Sequence, residues 1–359
     1  MEIAFSWFRR LVLFPARETM SEEKIRIGVI GMHHDHLWSN LEELLALPGV
    51  DLVGGADPYE ALRERFAGRT SRPVYEDPLV LLDKGAPEAV LVFGDNRWSA
   101  EWATEAAKRG MHVLIEKPLA ADLEGAEELY GAARENGARL MVNWPFAWWA
   151  PLHEAIRLAA QGKLGRIWQV RYRAAHGGPR EEGCSEWFCD WLFDAERNGG
   201  GALMDYCGYG AILARVLLGM PESVQATAGT LVKAELEVDD NALLVMSYTG
   251  AMGLAEASWT EVGRATSYRA VIYGTAGVLI ADPFGPEPLR LAEAEHPLGQ
   301  PLAVPDLPAS LRSASAHFLH GVASGDAFAP LCEAEANRDV QAILAAGMES
   351  ARSGQAIVP

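Results

Sequence analysis

Between Ile25 and Val142 the chain repeats one pattern: a short apolar run, a Gly, Asp or Pro stop, then a segment of helical period. No other feature restricts the possible folds as strongly. Ile25-Arg26-Ile27-Gly28-Val29-Ile30-Gly31 reads as a buried strand ending in a glycine turn. Leu37, Leu41, Leu44 and Leu45 then share one side of a helix that Pro48-Gly49 stops. Val50 to Ala56 is a second strand, closed by Asp57-Pro58, with a short helix over 59–67. Further on, Leu79 to Leu82 is helical, Ala89 to Phe93 is a strand, and Ser99 to Arg109 is a helix ending at Gly110. His112 to Ile115 and Arg139 to Val142 are two more strands, separated by a helix that Asp122 caps and Gly137 closes. Strands that are apolar throughout and alternate with helices predict a Rossmann-type, doubly wound parallel sheet, an α/β architecture.

After about Asn143 the grammar changes. Ile167 to Arg173, 222–233, 240–249, 252–260 and 268–274 alternate as strands with one solvated face. Thr249-Gly250 and Thr275-Ala276-Gly277 read as hairpin turns. This predicts an α+β domain with a large, mostly antiparallel open sheet and helices over 152–160, 202–218 and 311–352. The proline-rich stretch 283–308 reads as a long surface segment. The expected division is an N-terminal extension over 1–20, a dinucleotide-binding domain over 21–143, and a substrate-binding and oligomerisation domain over 144–359. In the extension, Leu11 to Phe14 is too short for a signal-peptide core.

Charge and cysteine usage narrow the partners. A formal net charge of -18 over 359 residues repels phosphate backbones, so no nucleic-acid partner is expected. No run approaches the ~20 apolar residues of a bilayer span, so no membrane partner is expected. Cys184, Cys189, Cys207 and Cys332 form no disulfide framework, which favours a reducing, cytoplasmic setting. A zinc site at Cys184 and Cys189 with His176 would lack a second close pair.

The first turn is the place for a cofactor phosphate, because backbone N–H groups converge there. The usual fingerprint, G-x-G-x-x-G, keeps only Gly31, followed by Met32-His33-His34-Asp35-His36. Gly28 and Gly31 of this strand and turn are candidate cofactor residues, with His33 or His34 facing a phosphate or nicotinamide. Asp57, at the end of the second strand, can accept bonds from an adenosine ribose diol and disfavours a 2′-phosphate. NAD is therefore expected, with NADP possible. No metal is expected, since adjacent histidines on a tight turn rarely all face one ion.

Glu116-Lys117-Pro118 follows the strand 112–115, at the edge where such sheets bind ligands. Farther along come Gly162-Lys163-Leu164-Gly165, Gly199-Gly200-Gly201-Ala202-Leu203-Met204-Asp205 and Gly274-Thr275-Ala276-Gly277. In this order the segments resemble the Gfo/Idh/MocA oxidoreductase family from about residue 24 onward. The resemblance implies a Lys117 beside the nicotinamide and the reacting carbon, with Glu116 near the cofactor, a cis Lys117–Pro118 bond, and Asp205 orienting the centre. Four residues after that aspartate most members carry a histidine. This chain has Tyr209, as in branches resembling glucose–fructose oxidoreductase and dimeric dihydrodiol dehydrogenase. Spacing i, i+4 puts Asp205 and Tyr209 on one helix face, and a Lys117 ammonium would be expected to lower the phenol pKa.

The family's Thr-Pro-Asn-x-x-His is here Gly94-Asp95-Asn96-Arg97-Trp98-Ser99, so Asn96 alone is retained as a cofactor contact. His176 and Trp187 are candidate substrate residues. The expected activity is hydride transfer between nicotinamide and a carbinol carbon of a sugar, polyol or related compound. An NAD-dependent glycosidase and a non-catalytic nucleotide sensor are the alternatives. By resemblance the open sheet would form a homodimer or homotetramer face.

Overall fold

The computed structural model describes residues 24–359, so the expected extension over 1–20 lies outside the described residues. Six strands form the first sheet: β1 (Ile25–Ile30), β2 (Val50–Ala56), β3 (Val74–Tyr75), β4 (Ala89–Val92), β5 (His112–Glu116) and β6 (Leu140–Asn143). Their order is β3-β2-β1-β4-β5-β6, and every pairing is parallel. Parallel neighbours require crossovers. These are α1 (His36–Leu45), α2 (Glu60–Thr70), α3 (Pro78–Gly85), α4 (Asn96–Lys108) and α5 (Leu123–Glu135). Val90, Leu91, Val92, Val113 and Leu114 are fully buried, which is why those strands show unbroken apolar runs. Each such side chain contributes about 1.5–3 kcal/mol. The strand order reverses between β1 and β4, so the carboxyl ends of β1, β4 and β5 open onto a crevice.

The second sheet has eight strands, and the expected α/β class with its two different sheets is the one observed. After α6 (Ala150–Ala160) come β7 (Ile167–Ala175), the short helices α7 (Glu186–Leu192) and α8 (Ala195–Asn198), and α9 (Gly208–Leu218). They are followed by β8 (Ser223–Gly229), β9 (Asn241–Tyr248), β10 (Ala251–Ser258), β11 (Arg269–Gly274), β12 (Val278–Ala281), β13 (Leu289–Glu293) and β14 (His296–Pro301). The order is β14-β13-β12-β11-β7-β10-β9-β8, antiparallel except where β7 meets β10. Gly250 turns the β9–β10 hairpin at φ 77°, a conformation glycine adopts freely.

Two expectations change. The stretch 283–308 is not one long surface segment, because β13 and β14 lie inside it. Leu289 and Leu291 are buried against β12, while Pro297 and Pro301 sit in β14, an edge strand that tolerates proline. The helix over 202–218 opens with a π-helical turn, Leu203–Cys207, before α9.

The chain ends with α10 (Ala314–Ser324) and α11 (Ala334–Ser353). This last segment ties the two sheets together. Met141 bridges to Glu333, and Val224 bridges to Ile357. Asn337 accepts a bond from Trp144 Nε1 at 2.6 Å, and Asp339 accepts one from Arg215 at 2.7 Å. Among the described residues one helical run, Ala195–Leu218, is long and apolar enough to cross a bilayer, but it is packed inside the protein.

Candidate active site

Gly31 ends β1 with φ 82°, and a Cβ there would press on the Phe93–Gly94 backbone at 2.7 Å. Only glycine allows the ends of β1 and β4 to come this close. The residues that follow divide by direction. His33 turns toward β2, where Nδ1 lies 3.0 Å from Asp57 Oδ2 and Nε2 accepts from the Asp95 amide at 2.9 Å. Asp57 also accepts from the amides of Met32 at 2.6 Å and Tyr59 at 2.8 Å. Burial works against charge on His33, but the carboxylates of Asp57 and of Asp95, the latter 3.7 Å from Nε2, outweigh that and leave its pKa raised. Asp95 pairs in turn with Arg197 at 3.1 Å.

These contacts correct two expectations. Asp57 is fully buried, and its oxygens hold the turn instead of facing a ribose diol. His33 fills the space that the fingerprint's second glycine would leave open, and does not face the crevice. Gly28 is also a packing residue: a Cβ there would meet Leu81 at 3.3 Å and Pro87 at 3.4 Å. Asn96 gives its amide to Asn198, so it joins the two halves of the protein and is not free for a cofactor. Trp187 packs on Tyr59, two residues after Asp57, with ring centroids 4.8 Å apart.

The other end of the crevice gathers the predicted reaction residues. Lys117 and Asp205, from the two halves of the chain, form a buried ion pair. Trp259 Nε1 donates to the second oxygen of Asp205 at 3.2 Å. The Lys117 ammonium lies 5.6 Å from the Tyr209 ring centroid and 5.7 Å from that of Tyr206. Tyr209 stacks on Tyr172 at 5.8 Å and meets Trp144 and Phe146 edge-on at 5.0 Å. The Lys117–Pro118 peptide is cis, as the resemblance implies.

Gly199 explains how the two halves close on each other, and Gly201 how the segment after it is held. A Cβ at Gly199 would collide with the Ala121 carbonyl, and one at Gly201 with Asp239. Asp239 accepts from the amides of Gly201 at 3.0 Å and Leu203 at 2.7 Å, which fixes the start of the π-helical turn.

The electrostatics of Tyr209 run opposite to expectation. Burial, then the neighbouring Tyr268 and Asp205, push its phenol well above the ordinary tyrosine value. Lys117 does not lower it because Asp205 already neutralises the ammonium. His176 accepts the Gly178 amide on Nδ1 at 2.8 Å, so its proton sits on Nε2, and burial lowers its pKa. Its ring lies 4.9 Å from that of Tyr206, which donates to or accepts from Tyr268 at 3.0 Å.

Glu116 completes the centre. It accepts from the Lys117 amide at 3.1 Å and from Asn143, which Trp148 Nε1 holds at 2.9 Å. Tyr206, Asn143, Trp259 and Tyr268 were not foreseen. For Asn143 a signal existed, since it lies opposite Glu116 in the parallel register of β5 and β6.

A nicotinamide dinucleotide fits the reaction end of this crevice better than the adenosine end. The glycine-only turn at Gly31, His34, Glu116 and Lys117 would hold it. Asp57 would not, with its hydrogen bonds as they stand.

Comparisons with known proteins agree with this geometry. Residues 25–144 match the family model of the Gfo/Idh/MocA oxidoreductases, described as an NAD-binding Rossmann fold. Residues 152–280 match the Gfo/Idh/MocA C-terminal domain. The dTDP-3,4-didehydro-2,6-dideoxy-alpha-D-glucose 3-reductase of Streptomyces antibioticus is 29% identical over 80% of this chain and 85% of its own. The levoglucosan dehydrogenase of Pseudarthrobacter phenanthrenivorans is 26% identical over 66% of this chain and 65% of its own. In fold, the solved structure of GenD2 from gentamicin A biosynthesis, in complex with NAD, superposes with a TM-score of 0.79 at 24% identity, covering 97% of this chain and 99% of that one. The chain belongs to the Gfo/Idh/MocA family and is an NAD(P)-dependent oxidoreductase.

Proposed function

We propose that the protein moves a hydride between NAD(P) and the carbinol carbon of a sugar, polyol or related hydroxyl compound, with Lys117, Tyr209 and Asp205 as its catalytic set. The observation that carries this reading is the buried Lys117–Asp205 pair set against the ring of Tyr209. The cofactor, when bound, supplies the hydride donor or acceptor. The chain's own residues manage the proton and the charge.

An ammonium has three donors, so Lys117 keeps N–H groups for a substrate oxygen after bonding Asp205. Its fixed positive charge lies where that oxygen gains or loses negative charge. Asp205 holds the ammonium in place, and Trp259 holds Asp205. Tyr209 keeps its proton at neutral pH because its pKa is raised, so it serves as a donor to the same oxygen and not as a base. In reduction the oxygen takes up this proton, and in oxidation the same path returns it. Phe146, Trp144 and Tyr172 exclude water around it. His176, with its proton on Nε2, is placed to donate to a second substrate hydroxyl. A sugar-like substrate is supported by the two relatives named above, a deoxysugar reductase and a levoglucosan dehydrogenase.

The test is a screen of sugars, polyols and their keto forms with each cofactor, read by nicotinamide absorbance. Turnover that Lys117→Ala abolishes is expected. Full turnover in both Lys117→Ala and Tyr209→Phe would sink the assignment.

Association through the open face of the second sheet is part of the same proposal. Leu243 and Met252 are exposed on that face beside the half-buried Val245 and Leu254. A mass by light scattering of twice or four times the chain mass is the expected result. A cytoplasmic setting is supported by four free cysteines.

A further inference from the structure

We propose that His34, His36 and Glu116 form a binding site for one divalent transition-metal ion of the zinc, cobalt or manganese kind. Three adjacent histidines on a turn seemed unable to face one ion, and they do not. His33 leaves for Asp57, while His34 and His36 point the other way and meet a carboxylate from β5. One ligand atom from each of the three lies within 4.8 Å of the others. His36 Nδ1 is 3.2 Å from Glu116 Oε1. Donors bound to one metal at about 2.0–2.2 Å sit roughly 3.0–3.4 Å apart in tetrahedral or octahedral sites. The His36–Glu116 separation matches the edge of a coordination polyhedron, and His34, within 4.8 Å of both, would turn toward the ion on binding.

A second observation is independent of the cluster's composition. His36 Nδ1 is shielded from solvent and makes no hydrogen bond, because its approach to Glu116 lacks the alignment for one. A buried polar atom without a hydrogen bond is costly and calls for an explanation. An ion between the imidazole and the carboxylate would use both. The His34 ring takes part in one hydrogen bond, a long 3.3 Å contact from the His36 amide, so little is lost if the ring turns to a metal.

The surroundings resemble the supporting layer of a metal centre. Asn143 and the Lys117 amide fix the Glu116 carboxylate, and Trp148 fixes Asn143. Asp35, between the two histidines, accepts from Ser185 N at 2.6 Å and Ser185 Oγ at 2.7 Å, which pins the turn. Phe188 and Trp191 wall the His34 ring at 4.8 and 5.5 Å. The nearest cation, Lys117, is paired with Asp205 and does not claim Glu116. Two imidazoles and one carboxylate leave coordination positions open for water or a substrate oxygen. The ion and the dinucleotide would compete for His34 and Glu116, so this is a site of the cofactor-free protein, and its occupancy does not depend on the hydride-transfer reading.

The test uses the full chain without a histidine tag, stripped with a chelator and titrated calorimetrically with Zn²⁺, Co²⁺ and Mn²⁺ in the absence of cofactor and substrate. One ion per chain is expected, and Co²⁺ should give a visible spectrum with nitrogen ligation. His36→Ala should weaken binding at least tenfold, and the His34→Ala/His36→Ala double variant should abolish it, while His320→Ala on the surface leaves it unchanged. Circular dichroism checks that each variant is folded. Glu116→Gln, which keeps shape and loses charge, should also weaken binding at least tenfold. No stoichiometric ion, or an affinity unchanged in the folded double variant, would overturn the proposal. Because the readout is metal content, loss of dehydrogenase activity alone leaves it standing, and loss of metal binding alone leaves hydride transfer standing.

Discussion

Asp57 and Asp205 are both buried carboxylates at the crevice, yet they are satisfied in different ways. Asp57 takes its bonds from Met32, His33 and Tyr59, all within the first half of the chain. Asp205 takes its bonds from Lys117, across the boundary between the two sheets, and from Trp259. The first arrangement is closed: each partner is itself held by the fold. The second leaves donors over, on Lys117 and on the phenol of Tyr209. Where a buried charge is saturated by its own turn it stabilises; where its partner retains unused donors, it can act on a ligand.

The largest expected effect breaks the second arrangement. Lys117→Ala should reduce kcat/KM by about a thousandfold or more, since it removes both proton handling and the charge opposite the reacting oxygen. Steady-state kinetics on whichever substrate the screen identifies would check it. Next comes the first arrangement. Asp57→Ala strands a buried imidazole and two amides, and should cost about 3 kcal/mol of stability. Urea unfolding measures this, and a loss below about 1 kcal/mol would mean that Asp57 is not the keystone of the turn.

Tyr209→Phe is a smaller change at the reactive end. A drop in kcat of roughly a hundredfold is expected with stability nearly unaffected, because the ring packing on Tyr172, Trp144 and Phe146 survives. A variant with wild-type kcat would remove the tyrosine from the mechanism.

The smallest effect is on pH dependence. His33 has a raised pKa in the folded state, so its protonated form stabilises fully below the unfolded value near 6.5. That contribution is lost as pH rises from there through the raised folded value. His33→Gln should flatten stability against pH over this interval, measured by denaturant midpoints at a series of pH values. An identical slope in the variant would assign the dependence to another group.

How much of this could be read from the sequence depends on how local each signal is. The first sheet was legible because β4 and the middle of β5, Val113 to Ile115, are buried on both faces and therefore apolar. The second sheet was legible where one face meets solvent, as in β7. β13 and β14 were hidden by proline and glycine, which usually mark loops and here mark an edge. At the site, Glu116, Lys117, Asp205 and Tyr209 came from ordered motifs and a family resemblance. The directions of His33, His34 and His36 did not, because side-chain direction on a turn is decided by distant partners such as Asp57 and Glu116. The same holds for Trp259, which reaches the centre through a tertiary contact that no periodicity encodes. The raised phenol pKa was missed for a related reason. The sequence showed a lysine near a tyrosine but not the carboxylate that already claims the lysine.

Gly199 seats the second half of the chain on the Ala121 carbonyl, and Gly201 fixes that segment on Asp239 of its own half, with no room for a β-carbon at either. Lys117 is four residues before Ala121, and Asp205 is six after Gly199. The alignment of the ion pair is therefore set by a backbone-to-backbone fit and not by the reach of two side chains. A slip of this seam by even an ångström would part the ammonium from its carboxylate while leaving both sheets intact. On slow heating, such a protein loses turnover before it loses secondary structure, and hydrogen exchange at the seam should report the loss first.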